Sequence, residues 1–183
     1  MLRNFSKGAD LPERVVDALV GTLVEREVGP QTILSEIDTP ARCVYFIGSG
    51  SARSYYLQEG REVTYWIAME GDIAGSVSSY LTGSASSKAV ATIEACVLWE
   101  IHQERMARLA RSYPEIAVLI QDLLSEAIVR LEARLDALLF HSAKERYATL
   151  LQERPDIVRR VPLGIIASYL GMSQETLSRV RGF

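Results

Sequence analysis

Apolar positions along this chain of 183 residues change their spacing twice. Within LPERVVDALVGTL, residues 11–23, Val15, Val16, Leu19, Val20 and Leu23 recur at helical intervals and Pro12 suits a helix start. A short amphipathic helix is predicted there. From about Val24 to Ile101 the runs shorten and become β-rich: VEREV, TILSEI, CVYFIG, SARSYYLQ, EVTYWIAM, DIAGSV, AVATIE and CVLWEI. Turn signals separate them at Gly29-Pro30, Thr39-Pro40, Gly48-Ser49-Gly50, Glu59-Gly60 and Met69-Glu70-Gly71. The two runs around Glu59-Gly60 read as a hairpin. Closely spaced strands of this kind predict a sandwich or barrel, with a jelly roll the natural choice.

Past Ile101 the helical period returns. HQERMARLARSY predicts a short helix with Met106, Leu109 and Ala110 inward. Pro114 opens a long one, PEIAVLIQDLLSEAIVRLEARLDALLF. Ile116, Ile120, Leu123, Ala127, Leu131, Arg134 and Leu138 step by threes and fours, a heptad-like seam about 35 Å long at 1.5 Å per residue. Leu119, Leu124, Ile128 and Leu135 widen the apolar surface beyond one seam. Two arrangements fit: one side on the sheets and the other on a second copy, or burial wholly within the chain. SAKERYATLLQE follows as a helix with a Ser142/Glu145 capping box, ended by Arg154-Pro155.

The stretch Pro162–Arg181, PLGIIASYLGMSQETLSRVR, holds two short apolar-periodic segments about a turn. Ile165, Ile166, Tyr169 and Leu170 form one stripe, Leu177 and Val180 another. Gly171 lies where a first helix would end, and Ser173 where a second would be capped. This describes a helix-turn-helix, and equally an ordinary helical corner. Read as the former, Gln174, Glu175, Ser178, Arg179 and Arg181 face outward. Such side chains can bond base edges or phosphates.

Charge sharpens this picture. The net charge is −3, yet residues 140–183 carry seven basic and four acidic residues, a net +3. A mildly basic C-terminal module on an acidic body suits local DNA contact. No apolar run is long enough for a membrane span, and MLRNFSKGADLPERV holds no apolar signal core. With only Cys43 and Cys96, a reducing cytoplasm is expected and no disulfide scaffold. Four-thiolate iron–sulfur ligation is out of reach for two cysteines. His102, placed just past the last strand, and His141, between helices, read as surface or capping residues. No metal, cofactor or catalytic set is expected. A metal cupin on the same scaffold would need a histidine cluster, and Val24–Ile101 holds no histidine.

In this order, the elements resemble the catabolite-activator/FNR superfamily of bacterial regulators over essentially the whole chain. The most specific segment is IASYLGMSQETLSRVR, with Ala167, Gly171 and Leu177 at the family's packing positions. Glu175 and Arg179 match the family's recognition helix, while Gln174 stands where an arginine is common. The short ending SxExLSRxR is similar to compact members found in the Bacteroidetes lineage. The resemblance implies an α+β fold with an effector domain of cyclic-nucleotide-binding type over residues 1–112. A dimerisation helix over 113–140 and a winged-helix-like helix-turn-helix over 141–183 complete it. Its partners would be a second copy and double-stranded DNA, contacted by Ser173, Gln174, Glu175, Thr176, Ser178, Arg179 and Arg181. Gly75, Ser76, Val77, Ser86, Ser87 and Lys88 align with its phosphate-binding loop. The glutamate and arginine that hold a cyclic nucleotide are absent there, and lysine is no bidentate fork. A different small effector, or none, is therefore expected in place of cyclic AMP. The alternative readings are a cyclic-nucleotide or other small-ligand binding module without DNA binding, or a cupin-like enzyme.

Overall fold

The computed structural model describes residues 11–182; the reading of the first ten residues as lacking a signal core falls outside them. Eight strands make two antiparallel four-stranded sheets, as a jelly roll requires. One sheet has the order β1 (Val24–Val28), β8 (Cys96–His102), β3 (Cys43–Ser49), β6 (Ile73–Ala74). The other has β2 (Ile33–Ser35), β7 (Ala89–Thr92), β4 (Ala52–Gln58), β5 (Arg61–Ala68). Every predicted strand is present, though DIAGSV keeps only two residues of pairing. The β4–β5 hairpin closes on Glu59 and Gly60, with φ of 51° and 75°. Two consecutive positive φ values give the tight loop whose twist matches the strands it joins.

Strand alternation sorts the core. On β3 and β8, Tyr45, Ile47, Cys96 and Leu98 point between the sheets, meeting Ala52, Ala68, Ala74 and Val90. The intervening Val44, Phe46, Trp99 and Ile101 point outward and are covered by helices. Those helices are α1 (Glu13–Val20), α3 (Gln103–Ser112) and the start of α4 (Pro114–Phe140). Helix α1 ends at Val20, earlier than the apolar spacing suggests, because Gly21 and Thr22 turn the chain back on itself. The Gly71–Lys88 stretch is no plain loop: it contains the short helix α2 (Val77–Thr82), stopped at Gly83 with φ 72°.

Four helices follow α4: α5 (Ala143–Glu153), α6 (Pro155–Arg160), α7 (Leu163–Tyr169) and α8 (Gln174–Arg181). The Ser142/Glu145 capping box forms as predicted. Helix α6 has no counterpart in the sequence reading, since Arg154-Pro155 ends α5 and at once opens the next helix with Pro at its first turn. No strand follows β8 among the described residues, so the helix-turn-helix carries no β wing there. No described helix is long and apolar enough to cross a membrane.

The long helix corrects the predicted seam. Ile116 is fully buried, and Ile120 and Leu123 pack on the same intrachain core. Arg134 turns inward to Tyr169 of its own chain. The exposed repeat lies elsewhere on the helix: Ala117, Gln121, the half-buried Leu124, Ile128, Leu131, Leu135 and Leu138 step by four and three without a break. Ile128 and Leu135 are more than half exposed, so burial wholly within the chain is excluded for this face.

Candidate nucleic-acid interface

Helices α7 and α8 are set against each other by their ends. The amide of Gly171 donates to Ser168 O at 3.1 Å and that of Met172 to Ala167 O at 3.0 Å. This double bond pattern, with Gly171 at φ 64°, is a Schellman stop. Two residues later the Ser173 hydroxyl accepts from the Thr176 amide at 3.2 Å and starts α8. Arg146 Nε donates to Leu170 O at 2.8 Å, satisfying a carbonyl that α7 leaves open. Leu177 is fully buried among Leu150, Ile157, Val161, Ile166, Ala167 and Leu170. That single anchor fixes the rotation of α8.

With Leu177 inward, Gln174, Glu175, Ser178, Arg179 and Arg181 are exposed, as expected from the spacing. Thr176 is half-buried; its hydroxyl accepts from Arg179 at 3.3 Å and from Ser173 at 3.2 Å. The Ser173 hydroxyl and the charge of Arg179 hold the Glu175 carboxyl below the usual range, so it is ionised at neutral pH. The face thus offers one carboxylate acceptor, one amide and two guanidinium forks on a rigid helix.

The helical unit is docked on the outer face of β5, where Ile67 and Met69 join the Leu177 cluster. Polar contacts bracket that patch. Ser168 Oγ accepts from the Thr64 amide at 2.8 Å. Arg134 donates to Tyr169 O at 2.7 Å and stacks on its ring, 3.9 Å from the centroid. Asp72 accepts from Arg130 of α4 at 3.2 Å and Arg154 of α5 at 3.0 Å. Arg160 bonds both Glu70 oxygens at 2.8 Å and Glu94 at 2.6 Å. Burial pulls the Arg134 guanidinium below its ordinary value, whereas the carboxylates around Arg160 push that group up.

The aligned effector residues have mixed fates. Ser76, Ser86 and Lys88 are buried, while Val77 and Ser87 face solvent. Gly75 is pressed to Val44, whose Cγ1 lies 2.6 Å from where a Cβ would stand. The Ser86 hydroxyl is spent on the Lys88 backbone, donating to its carbonyl at 2.7 Å and accepting from its amide at 3.0 Å. Lys88 Nζ stands over two rings, 4.5 Å from the Tyr65 centroid and 5.2 Å from that of Tyr56. The Ser76 hydroxyl is buried without a hydrogen-bond partner.

Two features escaped the sequence reading. A cleft of about 410 Å³ opens not at Gly71–Lys88 but along Ile33–Glu36 and Thr39–Cys43, with Tyr45 at its wall. Beside it the β3–β8 register sets Cys43 opposite His102 and Tyr45 opposite Glu100. Strand β8 runs through His102, so that residue is part of the sheet and not beyond it. Only register unites these groups, and sequence spacing carries no sign of it.

Comparison with known proteins agrees with this geometry. Residues 25–113 match the family model of the cyclic nucleotide-binding domain. The chain has a catabolite-activator/FNR-type fold built on that domain. FixK2 from Bradyrhizobium japonicum superposes with a TM-score of 0.76 at 22% identity, over 87% of this chain and 83% of that one. The catabolite activator protein of Thermus thermophilus gives 0.62 at 23% identity, over 98% and 85%. The cyclic AMP receptor protein of Thermus thermophilus is 28% identical over 144 residues, 76% of this chain. The match spans 66%, just under two thirds, of that relative.

Proposed function

We propose that the chain is a DNA-binding transcription regulator that works as a homodimer in the cytoplasm. The observation that carries this reading is the exposed face of α8, held in place by the buried Leu177 and capped at Ser173. Arg179 can take guanine O6 and N7 as a bidentate pair, Glu175 can accept from cytosine N4, and Gln174 can read adenine. Ser173, Thr176, Ser178 and Arg181 are assigned to phosphates, which set register and not sequence. The basic C-terminal module and the printed description of two similar structures as regulators support the same assignment.

The second copy would sit on the repeat Ile128, Leu131, Leu135, Leu138. A two-fold pair of α8 helices must then present themselves about 34 Å apart to reach successive major-groove faces. The effector domain is read as departing from cyclic-nucleotide chemistry. Where an arginine fork would hold a cyclic phosphate, this chain has a serine already bonded to its neighbour and a lysine lodged over two tyrosines. A different small effector, or none, fits these groups better.

Selection of bound duplexes from a random pool tests the DNA assignment. A palindromic site should emerge, with affinity falling steeply as salt rises. Arg179→Ala should cost about 1–3 kcal/mol and relax the choice of base at one position of each half-site. Binding to the selected site that is unchanged by this substitution would show that α8 is not the reading helix.

A further inference from the structure

We infer that Cys43, Glu100 and His102 form a binding site for one divalent transition-metal ion of the zinc class. A thiol, a carboxylate and an imidazole, each half-buried, bring one ligand atom apiece to within 4.8 Å of one another. Two antiparallel strands hold them. Cys43 and His102 are direct cross-strand partners, and Glu100 is two residues before His102 on the same face. Glu100 Oε2 already meets His102 Nε2 at 3.0 Å. Tetrahedral zinc with sulfur at about 2.3 Å and nitrogen or oxygen at about 2.0–2.1 Å needs ligand atoms about 3.3–3.6 Å apart. Side-chain adjustments of an ångström or so bring this triad there, with no movement of the sheet.

The surroundings fit an ion with one open position. Arg26 occupies only the other Glu100 oxygen, Oε1, at 2.6 Å. It neutralises part of the carboxylate charge and orients the group, as outer-shell partners of metal ligands do. The Tyr45 hydroxyl borders Cys43 and donates to Leu34 O. The cleft described above reaches Cys43, giving solvent or a small ligand a path to a fourth position. The Ser35 hydroxyl, buried with no hydrogen-bond partner, lines the same cleft. On binding, the ion takes the place of the His102–Glu100 hydrogen bond, and the Cys43 thiol loses its proton to solvent. The site would tie β3 to β8 just where His102 caps α3.

The chain's composition makes the test clean, because it has two cysteines and two histidines in all. Reduced full-length protein is titrated with Co²⁺, which reports thiolate ligation as a charge-transfer band, and then with Zn²⁺ in competition. One saturable equivalent is expected, with the band abolished in Cys43→Ser. Affinity should drop by on the order of tenfold or more in His102→Gln and Glu100→Gln. Cys96→Ser and His141→Gln should bind as the unaltered chain does. Zn²⁺ should also raise Tm in the unaltered chain and not in His102→Gln, whose half-exposed side chain tolerates exchange. No saturable binding, a band that survives Cys43→Ser, or a Co²⁺ affinity unchanged in His102→Gln, overturns the assignment.

Discussion

If the second copy sits on the exposed repeat of α4, Leu135 is the residue whose loss should be felt most directly. It is 55% exposed in the single chain and lies mid-way along Ile128, Leu131, Leu135, Leu138. Burying a leucine completely is worth about 1.5–3 kcal/mol. Covering the exposed half gives about 1–1.5 kcal/mol per copy, and two-fold symmetry doubles it to about 2–3 kcal/mol. Leu135→Ala should then weaken the dimer by roughly 30- to 150-fold, since 1.4 kcal/mol is a factor of ten. Leu135→Glu should do more, because it sets two carboxylates near one axis in an apolar seam. Sedimentation over a dilution series measures the dimer Kd directly. Val129→Glu is the control: Val129 is 63% exposed but stands about 100° round the helix from Ile128. A dimer indifferent to Leu135→Glu, or one broken equally by Val129→Glu, would show that the assigned face is wrong.

Three further outcomes follow from other contacts. Gly48→Ala should destabilise the fold by about 1–3 kcal/mol, because its Cβ would stand 2.2 Å from Cζ3 of the buried Trp99; an unchanged denaturant midpoint would contradict the packing. Arg160 and its hydrogen bonds hold the Glu70 carboxyl below its ordinary value. A depressed carboxylate stabilises above the unfolded pKa, near 4, and that contribution is lost as pH falls through the folded pKa. The Tm gap between the unaltered chain and Arg160→Gln should therefore close as the pH is lowered below about 4; a gap independent of pH in acid would refute the pairing. Cyclic AMP at millimolar concentration should leave Tm unchanged, and a concentration-dependent rise would show that Lys88 does serve a cyclic phosphate.

The strands were legible because each is a short β-rich run bounded by turn residues, and the hairpin because Glu59-Gly60 leaves little other choice. Caps were legible for the same local reason: Ser142 and Ser173 accept from amides three residues on, and the Gly171 amide donates to a carbonyl three residues back. What failed was whatever depended on a distant partner. The predicted α4 seam contains Ile116 and Arg134, and both are claimed by groups elsewhere in the chain, the β8 face and Tyr169. An apolar stripe wider than one interface does not say which half goes to which neighbour. The Cys43–His102 pairing spans 59 residues through β-register and has no periodic signature at all. Helix α6 is illegible for a different reason: proline ends one helix and opens the next with equal ease, so Arg154-Pro155 reads as an end alone.

The same distant contacts join the β domain to α8. Helix α4 carries two faces about 100° apart: one is bonded into its own chain and the other is largely exposed. On the bonded face, Asp72 from the β5–β6 turn is shared between Arg130 of α4 and Arg154 of α5. Arg134, one turn further on, grips Tyr169 at the end of α7. Asp72 is thus one contact shared by the β5–β6 turn, α4 and α5. Helices α5, α7 and α8 in turn share the Leu177 cluster and pack as one unit. A short chain of contacts thus joins the β domain to α8 without passing through the exposed face of α4, so the two can be altered separately.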